Sequence, residues 1–255
     1  MLLVRHGQSE WNALGRWQGQ ADVPLSDLGR RQARVAASAI GTVDIIVASD
    51  LERAAHTAAI IGETIGVGPV MIEPLLRERD AGEWSGLTRK EIDAAWPGYV
   101  DDHRRPPGFE PEEAFLERTH AGLVRVHREY GGADVLLVTH GGVIYAFERE
   151  AGLPFQRLPN LGARQITHRG DGIELGERLD LVADEDAADP QAGPGRSGPS
   201  SGPAATVAEL DSRRAAALRA QAGPEADIDP NDDIDPNADI DPNADIDPND
   251  DVEEI

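Results

Sequence analysis

The stretch Leu2-Leu3-Val4-Arg5-His6-Gly7-Gln8-Ser9-Glu10-Trp11-Asn12 decides how the rest of the chain is interpreted. Its apolar opening is too short for a helix and is typical of a buried strand. Arg5, His6 and Gly7 follow at once, and ligands of open α/β sheets bind beyond the carboxyl ends of the strands. A guanidinium suits phosphate, and glycine lets the backbone approach a ligand closely. On this tripeptide alone, a ligand site and a surface histidine after an edge strand are equal alternatives.

The composition excludes several kinds of chemistry and partner. The chain has 255 residues and no cysteine, which excludes disulfides, zinc–thiolate sites and thiol nucleophiles. Its net charge of −23 is uneven, because residues 184–255 hold 20 acidic and 4 basic residues and residues 1–183 carry only −7. An acidic chain argues against nucleic acid as a partner, because binding a polyanion draws on clustered lysine and arginine.

No membrane or secretory segment is recognisable in the sequence. No apolar run approaches the roughly 18 residues that suggest a membrane span. No basic-then-apolar stretch precedes the first motif. We therefore expect a cytoplasmic protein without a membrane partner.

Strand-like and helix-like segments alternate through residues 1–183. The predicted strands are 2–5, 44–48, 70–72 and 134–139, and a hairpin is predicted at 164–168 and 173–175. The predicted helices are 27–40 (capped by Ser26), 51–65 (capped by Ser49-Asp50), 88–95, 142–151 and one with Pro111 in its first turn that runs to about residue 130. This alternation predicts one α/β domain, a three-layer sandwich with a mainly parallel sheet and helices on both faces.

The segment 184–255 differs in character from the domain before it. Asp, Ala, Gly, Pro and Ser dominate a linker at 184–203, and residues 206–221 have the capping-box spacing of a short helix. A six-residue repeat follows, and residues 227–251 contain 11 Asp and no base. Such a segment cannot form a core, so we expect a disordered acidic tail. Ile234 stands where a calcium loop needs glycine, so weak cation or protein contacts are expected instead.

Other segments carry side chains suited to the same chemistry as the first motif. Arg53 lies in the first turn of the helix after the second strand, and His140 follows the strand 134–139 directly before two glycines. Arginines from two strand ends would clamp a phosphoryl group, and the N–H groups of a helix start, here at Gly141, favour an anion. The structural alternatives are an arginine paired on a solvated helix face and a histidine that only caps a helix.

Together these motifs resemble those of the histidine phosphatase superfamily, the group that includes cofactor-dependent phosphoglycerate mutases. Val4–Asn12 resembles its Arg-His-Gly signature, and Ser49–Ala58 resembles its second arginine motif. Val138–Val143 carries the second histidine, and Leu75–Thr88 resembles the Leu-x-Glu…Gly-x-Trp-x-Gly segment. The resemblance covers about residues 1–180 and implies a phosphoglycerate mutase-like fold.

The resemblance also implies roles for individual residues. His6 would be the nucleophile that is transiently phosphorylated, and Arg5, Arg53 and His140 would hold the phosphoryl group. We expect no metal or cofactor, because the arginines supply the positive charge.

Glu78 matches the proton donor of the family, a role that requires its protonated form. Asp80 and Glu83 are rivals on charge alone, and the motif favours Glu78. Further positions match family residues that contact phosphate or nearby substrate, namely Asn12, Gln18 and Gly19.

The resemblance favours a phosphatase over a mutase. Mutases of the family resemble a longer domain with extra segments that enclose the product, whereas the span from Gly86 to His140 is compact. We therefore predict a phosphomonoester hydrolase that acts through a phosphohistidine on a small phosphorylated metabolite. A cofactor-dependent phosphoglycerate mutase and a non-catalytic phosphate-binding or interaction protein are the alternatives.

The lid segment 98–113 leaves the substrate open. Its Pro106–Glu110 departs from the Gly-Gly-Glu-Ser often seen in relatives. Arg104 and Arg105 either hold a second anionic group of the substrate or form a solvated charge pair. The candidate substrates are a glucosyl-phosphoglycerate, a sugar phosphate and a cobalamin-precursor phosphate.

Overall fold

The computed structural model describes residues 1–169 and 172–182. The predicted linker, short helix and acidic repeat of residues 184–255 lie outside the described residues, so the domain division stays a prediction. Among the residues that are described, no helix is both long enough and apolar enough to cross a membrane. The cytoplasmic location also stays a prediction.

The described part of the chain contains six strands and six α-helices. The strands are β1 (Leu2–Arg5), β2 (Ile45–Ala48), β3 (Met71–Ile72), β4 (Val135–Thr139), β5 (Gly162–Arg169) and β6 (Gly172–Asp180). The helices are α1 (Glu10–Ala13), α2 (Asp27–Ala39), α3 (Glu52–Ile65), α4 (Arg89–Ala95), α5 (Glu112–Tyr130) and α6 (Gly141–Glu150). Two single 3₁₀ turns, Pro74–Leu76 and Gly82–Trp84, lie between β3 and α4.

One sheet organises these elements, in the strand order β3-β2-β4-β1-β5-β6. The first four strands in this order are parallel, and β5 and β6 add an antiparallel hairpin at one edge. The predicted mainly parallel sheet is therefore confirmed. Because β1 and β4 are parallel neighbours, with Arg5 opposite Thr139, the residues that follow them emerge side by side.

Helices cover both faces of the sheet. Leu136 and Val138 of β4 pack in the layer formed with α2 and α3, while Val135 and Leu137 pack in the layer formed with α5 and α6. Alternate side chains of a strand point to opposite faces, and a strand buried on both faces is continuously apolar. The predicted three-layer sandwich is confirmed.

Two differences from the predicted elements concern segments whose periodicity is weak. The short helix α1 was not predicted, because four residues show no apolar spacing. It is fixed instead by a capping box in which Ser9 and Asn12 bond each other's backbone N–H. The hairpin is longer than predicted. The prediction fell short because most of β6 is exposed and polar residues interrupt its apolar alternation.

At two helix starts, the residues predicted to cap or begin the helix have other roles. Leu51 is the N-cap of α3, and its own side chain makes no capping hydrogen bond. The first amide N–H of the helix, that of Glu52, donates to Oδ1 of Asp22 at 2.7 Å. Ser49 accepts the N–H of Leu51 at 3.3 Å and also bonds His140, while Asp50 pairs with Arg77. Pro111 is the N-cap of α5 and does not lie in its first turn.

The loop after β1 touches the first turn of α2 through backbone atoms. A Cβ on Gly29 would lie 2.0 Å from the carbonyl oxygen of Gln8, and a Cβ on Gly7 would lie 2.7 Å from the carbonyl oxygen of Gly29. Backbone atoms cannot move aside as a flexible side chain can. The path of the loop after His6 therefore depends on glycine at both positions.

We expect Gly29→Ala to lower the free energy of unfolding by about 1–3 kcal/mol, because the added methyl group overpacks a backbone contact. Urea unfolding followed by circular dichroism measures this change. Ser38→Ala, which places the same residue at an exposed position of α2, should stay within about 0.5 kcal/mol of the wild type. Equal unfolding midpoints for the two variants would contradict the packing argument.

Candidate active site

A cavity of about 510 Å³ opens beyond the carboxyl ends of β1 and β4. Eight of the nine site residues predicted from the sequence line it, namely Arg5, His6, Asn12, Gln18, Gly19, Arg53, Glu78 and Gly141. His140 is the ninth and lies behind the cavity wall. The parallel strands thus bring together residues that are as much as 136 positions apart in the chain, Arg5 and Gly141.

His6 presents one defined nitrogen to this cavity. Its buried ring places Nδ1 2.7 Å from the carbonyl oxygen of Gly7. Because a carbonyl oxygen can only accept, Nδ1 carries the proton and Nε2 keeps its lone pair. Burial, followed by the charges of Arg53 and Arg5, lowers the pKa of His6 well below its ordinary value. The imidazole is therefore neutral and oriented, as a nitrogen nucleophile must be.

Arg53 is a fully buried cation at the base of the cavity. Its Nη1 donates to the carbonyl oxygen of Ala21 at 2.7 Å, and its Nη2 donates to that of Gly19 at 2.8 Å. Nε is buried and has no hydrogen-bond partner. Burial lowers the pKa of Arg53 to about 10, although Glu78 opposes this shift, so the guanidinium stays charged at neutral pH. An unpaired buried donor is costly, and a bound anion would satisfy it.

Arg5 approaches the cavity from the end of β1. Its Nη1 donates to the carbonyl oxygen of Leu158 at 2.6 Å. The amide N–H of Leu158 donates in turn to the hydroxyl of Tyr145 at 2.7 Å. Arg5 therefore ties the first strand to the segment that leads into β5.

Glu78 lies at the start of α6. Its Oε2 accepts the amide N–H of Gly142 at 3.0 Å, and its Oε1 accepts that of Arg79 at 2.8 Å. A Cβ on Gly142 would lie 2.0 Å from Oε1, so only glycine lets the carboxyl approach this closely. The rivals Asp80 and Glu83 do not line the cavity. The carboxylate of Asp80 accepts the amide N–H of Gly82 instead.

His140 stands behind His6, with 5.2 Å between the ring centroids. Its Nε2 lies 2.9 Å from the hydroxyl of Ser49, and its Nδ1 is buried without a hydrogen-bond partner. Burial, followed by the charge of Arg53, lowers the pKa of His140 well below its ordinary value. The cavity wall beside it is formed by Gly141. The predicted role of His140 as a phosphate ligand stays a prediction.

Asn12 and Gln18 are oriented by one serine. The side-chain oxygen of Asn12 accepts the amide N–H of Ser9 at 3.2 Å, and that of Gln18 accepts its hydroxyl at 2.7 Å. The two NH₂ groups remain as donors for an anion. The buried Asn160 was missed by sequence reasoning, although its Nδ2 donates to the carbonyl oxygen of His6 at 3.0 Å. A lone asparagine outside any motif gave no signal.

Arg118 of α5 was also missed, and it fixes the backbone that carries Glu78. Its Nη1 donates to the carbonyl oxygens of Leu75 and Arg77, and its Nη2 donates to that of Glu78, each at 2.8 Å. The same guanidinium pairs with Glu110. Nothing in the apolar spacing of α5 marks this residue, because its partners lie about 40 positions earlier in the chain.

The outer part of the cavity combines arginines with aromatic rings. Its lining residues are Arg16, Trp17, Arg79, Phe109, Tyr145, Arg149, Phe155 and Arg157. The two lid arginines singled out in the sequence do not line it: Arg104 pairs with Asp102 and stacks on Tyr99, and Arg105 lies over Phe109. A second anionic group bound in the cavity would therefore contact the lining arginines and not Arg104 or Arg105.

These features define an α/β protein in which a neutral histidine, a buried arginine and a half-buried arginine meet at the ends of parallel strands. Residues 1–170 match the family model of the histidine phosphatase superfamily, branch 1. The chain belongs to this superfamily, as its motifs predicted.

Three comparisons indicate the kind of relative. A glucosyl-3-phosphoglycerate phosphatase of Mycolicibacterium vanbaalenii is 42% identical over 178 residues, covering 64% of this chain and 78% of that protein. A metal-independent phosphoserine phosphatase of Arabidopsis thaliana is 36% identical over 156 residues, covering 57% of this chain and 66% of that protein. A mycobacterial glucosyl-3-phosphoglycerate phosphatase solved with VO3 is 36% identical, with a TM-score of 0.60, covering 69% of this chain and 96% of that one. The predicted histidine phosphatase enzyme is thereby confirmed.

We expect His6 and His140 to stay neutral below pH 6.5, the ordinary histidine pKa, because both pKa values are lowered in the folded state. An NMR titration of labelled histidines, assigned with His6→Asn and His140→Asn, measures both midpoints. The unfolded chain takes up these protons near pH 6.5 and the folded chain only at lower pH. Their contribution to stability is therefore present above pH 6.5 and is lost as the pH falls. A midpoint at or above 6.5 for either ring would refute this description of the site.

Proposed function

We propose that the protein hydrolyses phosphomonoesters through a phosphohistidine formed on Nε2 of His6. The observation that carries this proposal is the orientation of the ring. Nδ1 donates a hydrogen bond to the carbonyl oxygen of Gly7, so the lone pair of Nε2 is the nucleophile on the cavity side. The carboxyl of Glu78 lines the same cavity.

In the first step, Nε2 of His6 attacks phosphorus and the bond from phosphorus to the ester oxygen breaks. Arg5 and Arg53 stabilise the charge on the equatorial oxygens, and the unpaired Nε of Arg53 is one donor for them. Glu78 gives its proton to the departing alkoxide, which leaves as an alcohol. The amide groups of Asn12 and Gln18, with the N–H of Gly141, orient the phosphoryl group.

In the second step, water attacks the phosphohistidine. Glu78, now a carboxylate, takes a proton from the attacking water. The bond between phosphorus and Nε2 breaks, inorganic phosphate forms, and the imidazole returns to its neutral state. His140, whose ring centroid lies 5.2 Å from that of His6, is the further ligand in this proposal that holds the transferred group.

We propose a substrate in which the phosphate is attached to a glycerate or a sugar-linked glycerate. The names of the mycobacterial relatives support this class. The cavity supports it as well, because about 510 Å³ lies in the range of small-molecule pockets and far exceeds the needs of a phosphoryl group. Phe109 and Phe155 provide apolar walls against which a sugar ring could pack.

We expect His6→Ala and His6→Asn to abolish phosphate release from para-nitrophenyl phosphate and 3-phosphoglycerate, while a chelator leaves the wild type unaffected. Circular dichroism checks that both variants fold. Isomerisation of 3-phosphoglycerate without phosphate release would indicate a mutase instead, and turnover by both His6 variants would exclude the proposed nucleophile.

We expect Glu78→Gln to slow hydrolysis of alkyl phosphates by about 10²–10⁴-fold, the typical contribution of a general acid. Para-nitrophenolate leaves without a proton, so this ester should still phosphorylate His6 in the variant. The phosphohistidine then accumulates, because the base for water is missing, and mass spectrometry after an alkaline quench detects it. Glu83→Gln, at an exposed carboxyl outside the cavity, is the matched control. Equal rates for Glu78→Gln and the wild type would remove Glu78 from the mechanism.

A further inference from the structure

Two arginines of the outer cavity share one carboxylate. Arg79 follows Glu78 directly, and Arg149 lies in the last turn of α6. Glu112, at the start of α5, contacts both: its Oε2 lies 2.6 Å from Nη2 of Arg79, and its Oε1 contacts Nη2 of Arg149. The two guanidiniums therefore stand at a spacing that one carboxylate can bridge, with one oxygen for each arginine.

Several charged groups act on this cluster besides Glu112. Arg105 adds to the repulsion on Arg149, whereas Glu78 and Glu110 attract Arg79. Burial, followed by the charges of Arg79 and Arg105, lowers the pKa of Arg149. An additional anion beside the pair would relieve this repulsion.

Arg79 is also held in a fixed orientation. Its guanidinium lies over the ring of Phe115, 4.3 Å from the centroid, and only 18% of its side chain is exposed. Its backbone N–H donates to the carboxyl of Glu78, which places this arginine next to the proposed proton donor. Each guanidinium has five N–H donors in a planar fork, and Glu112 contacts one nitrogen of each.

We propose that Arg79 and Arg149 form a subsite for the carboxylate of a phosphorylated hydroxy acid whose phosphoryl group lies at His6. This inference rests on the proposed function and names the part of the cavity that selects the substrate. Both arginines line the same cavity as His6 and Glu78, so one small molecule can reach both ends. A planar carboxylate suits the pair, because arginine forks bind it through parallel hydrogen bonds.

Glu112 has a distinct part in this subsite. Its carboxylate makes the contacts that a substrate carboxylate would make, and 40% of its side chain is exposed. It therefore competes with the substrate for both arginines. Removing its charge should strengthen binding of a carboxylate, whereas removing either arginine should weaken it.

Two matched substrates test the subsite. In 3-phosphoglycerate a carboxylate stands where glycerol 3-phosphate has a hydroxymethyl group, and the phosphate ends are the same. We expect the wild type to prefer 3-phosphoglycerate. In Arg149→Gln and Arg79→Gln, kcat/KM for 3-phosphoglycerate should fall at least tenfold more than for glycerol 3-phosphate, mainly through KM.

Glu112→Gln should have the opposite effect and raise the preference for 3-phosphoglycerate severalfold. A surface ion pair with only a structural role would give all three variants the same direction of change. Arg104→Gln, which removes an exposed arginine outside the cavity, is the control and should leave the kinetics with both substrates unchanged.

The outcomes separate this inference from the proposed function. Release of phosphate from para-nitrophenyl phosphate without a preference for 3-phosphoglycerate overturns the subsite and leaves the phosphatase standing. Equal losses for both substrates in Arg149→Gln and Arg79→Gln overturn it as well. No release from any ester contradicts the proposed function. Calorimetric binding of the two compounds to the wild type and to Arg149→Gln then still decides the subsite, because it needs no turnover.

Discussion

The buried guanidinium of Arg53 is the constraint on which the rest of the site depends. A cation without water is unstable unless oxygen atoms surround it, and here the carbonyl oxygens of Gly19 and Ala21 take that role. The loop between α1 and α2 must therefore fold back across the strand ends. Burial, followed by this charge, lowers the pKa of His6, so that the proposed nucleophile stays neutral.

The close packing of the loops that carry the site residues requires glycine at particular positions. Gly19 has φ +51°, and a Cβ there would lie 2.6 Å from the amide nitrogen of Ala81. Gly142 leaves room for the carboxyl of Glu78 at the start of α6. In each case a loop that carries a charged or reacting group is pressed against another segment. The neighbouring atoms thus give a steric reason for glycine at both positions.

The sequence predicted the inner site better than the outer one, for a topological reason. His6 follows β1 and Gly141 opens α6 just after β4, and parallel strands bring their carboxyl ends to one edge wherever the loops run. Asn160 and Arg118 were not predictable in this way, because each acts on backbone atoms far away in the chain. The expectation for Arg104 and Arg105 depended on the path of an irregular lid. That path turns Arg104 onto Tyr99 and Arg105 onto Phe109, and neither arginine lines the cavity.

The same topology places the groups proposed for phosphoryl transfer in the inner part of the cavity and those proposed for substrate selection in its outer part. Arg5 lies at the end of β1, and Arg53 and Gly141 lie in first helical turns, where a change in one residue disturbs the sheet or a helix start. Among the outer arginines, Arg149 lies at an exposed position in the last turn of α6, where substitution costs the fold little. Arg149 is 57% exposed, whereas Arg53 is fully buried. A fold built in this way can keep one phosphoryl-transfer site while the groups that meet the rest of the substrate change. In the proposed subsite, the charge of Glu112 opposes substrate binding and thereby sets how much a carboxylate gains over a neutral group.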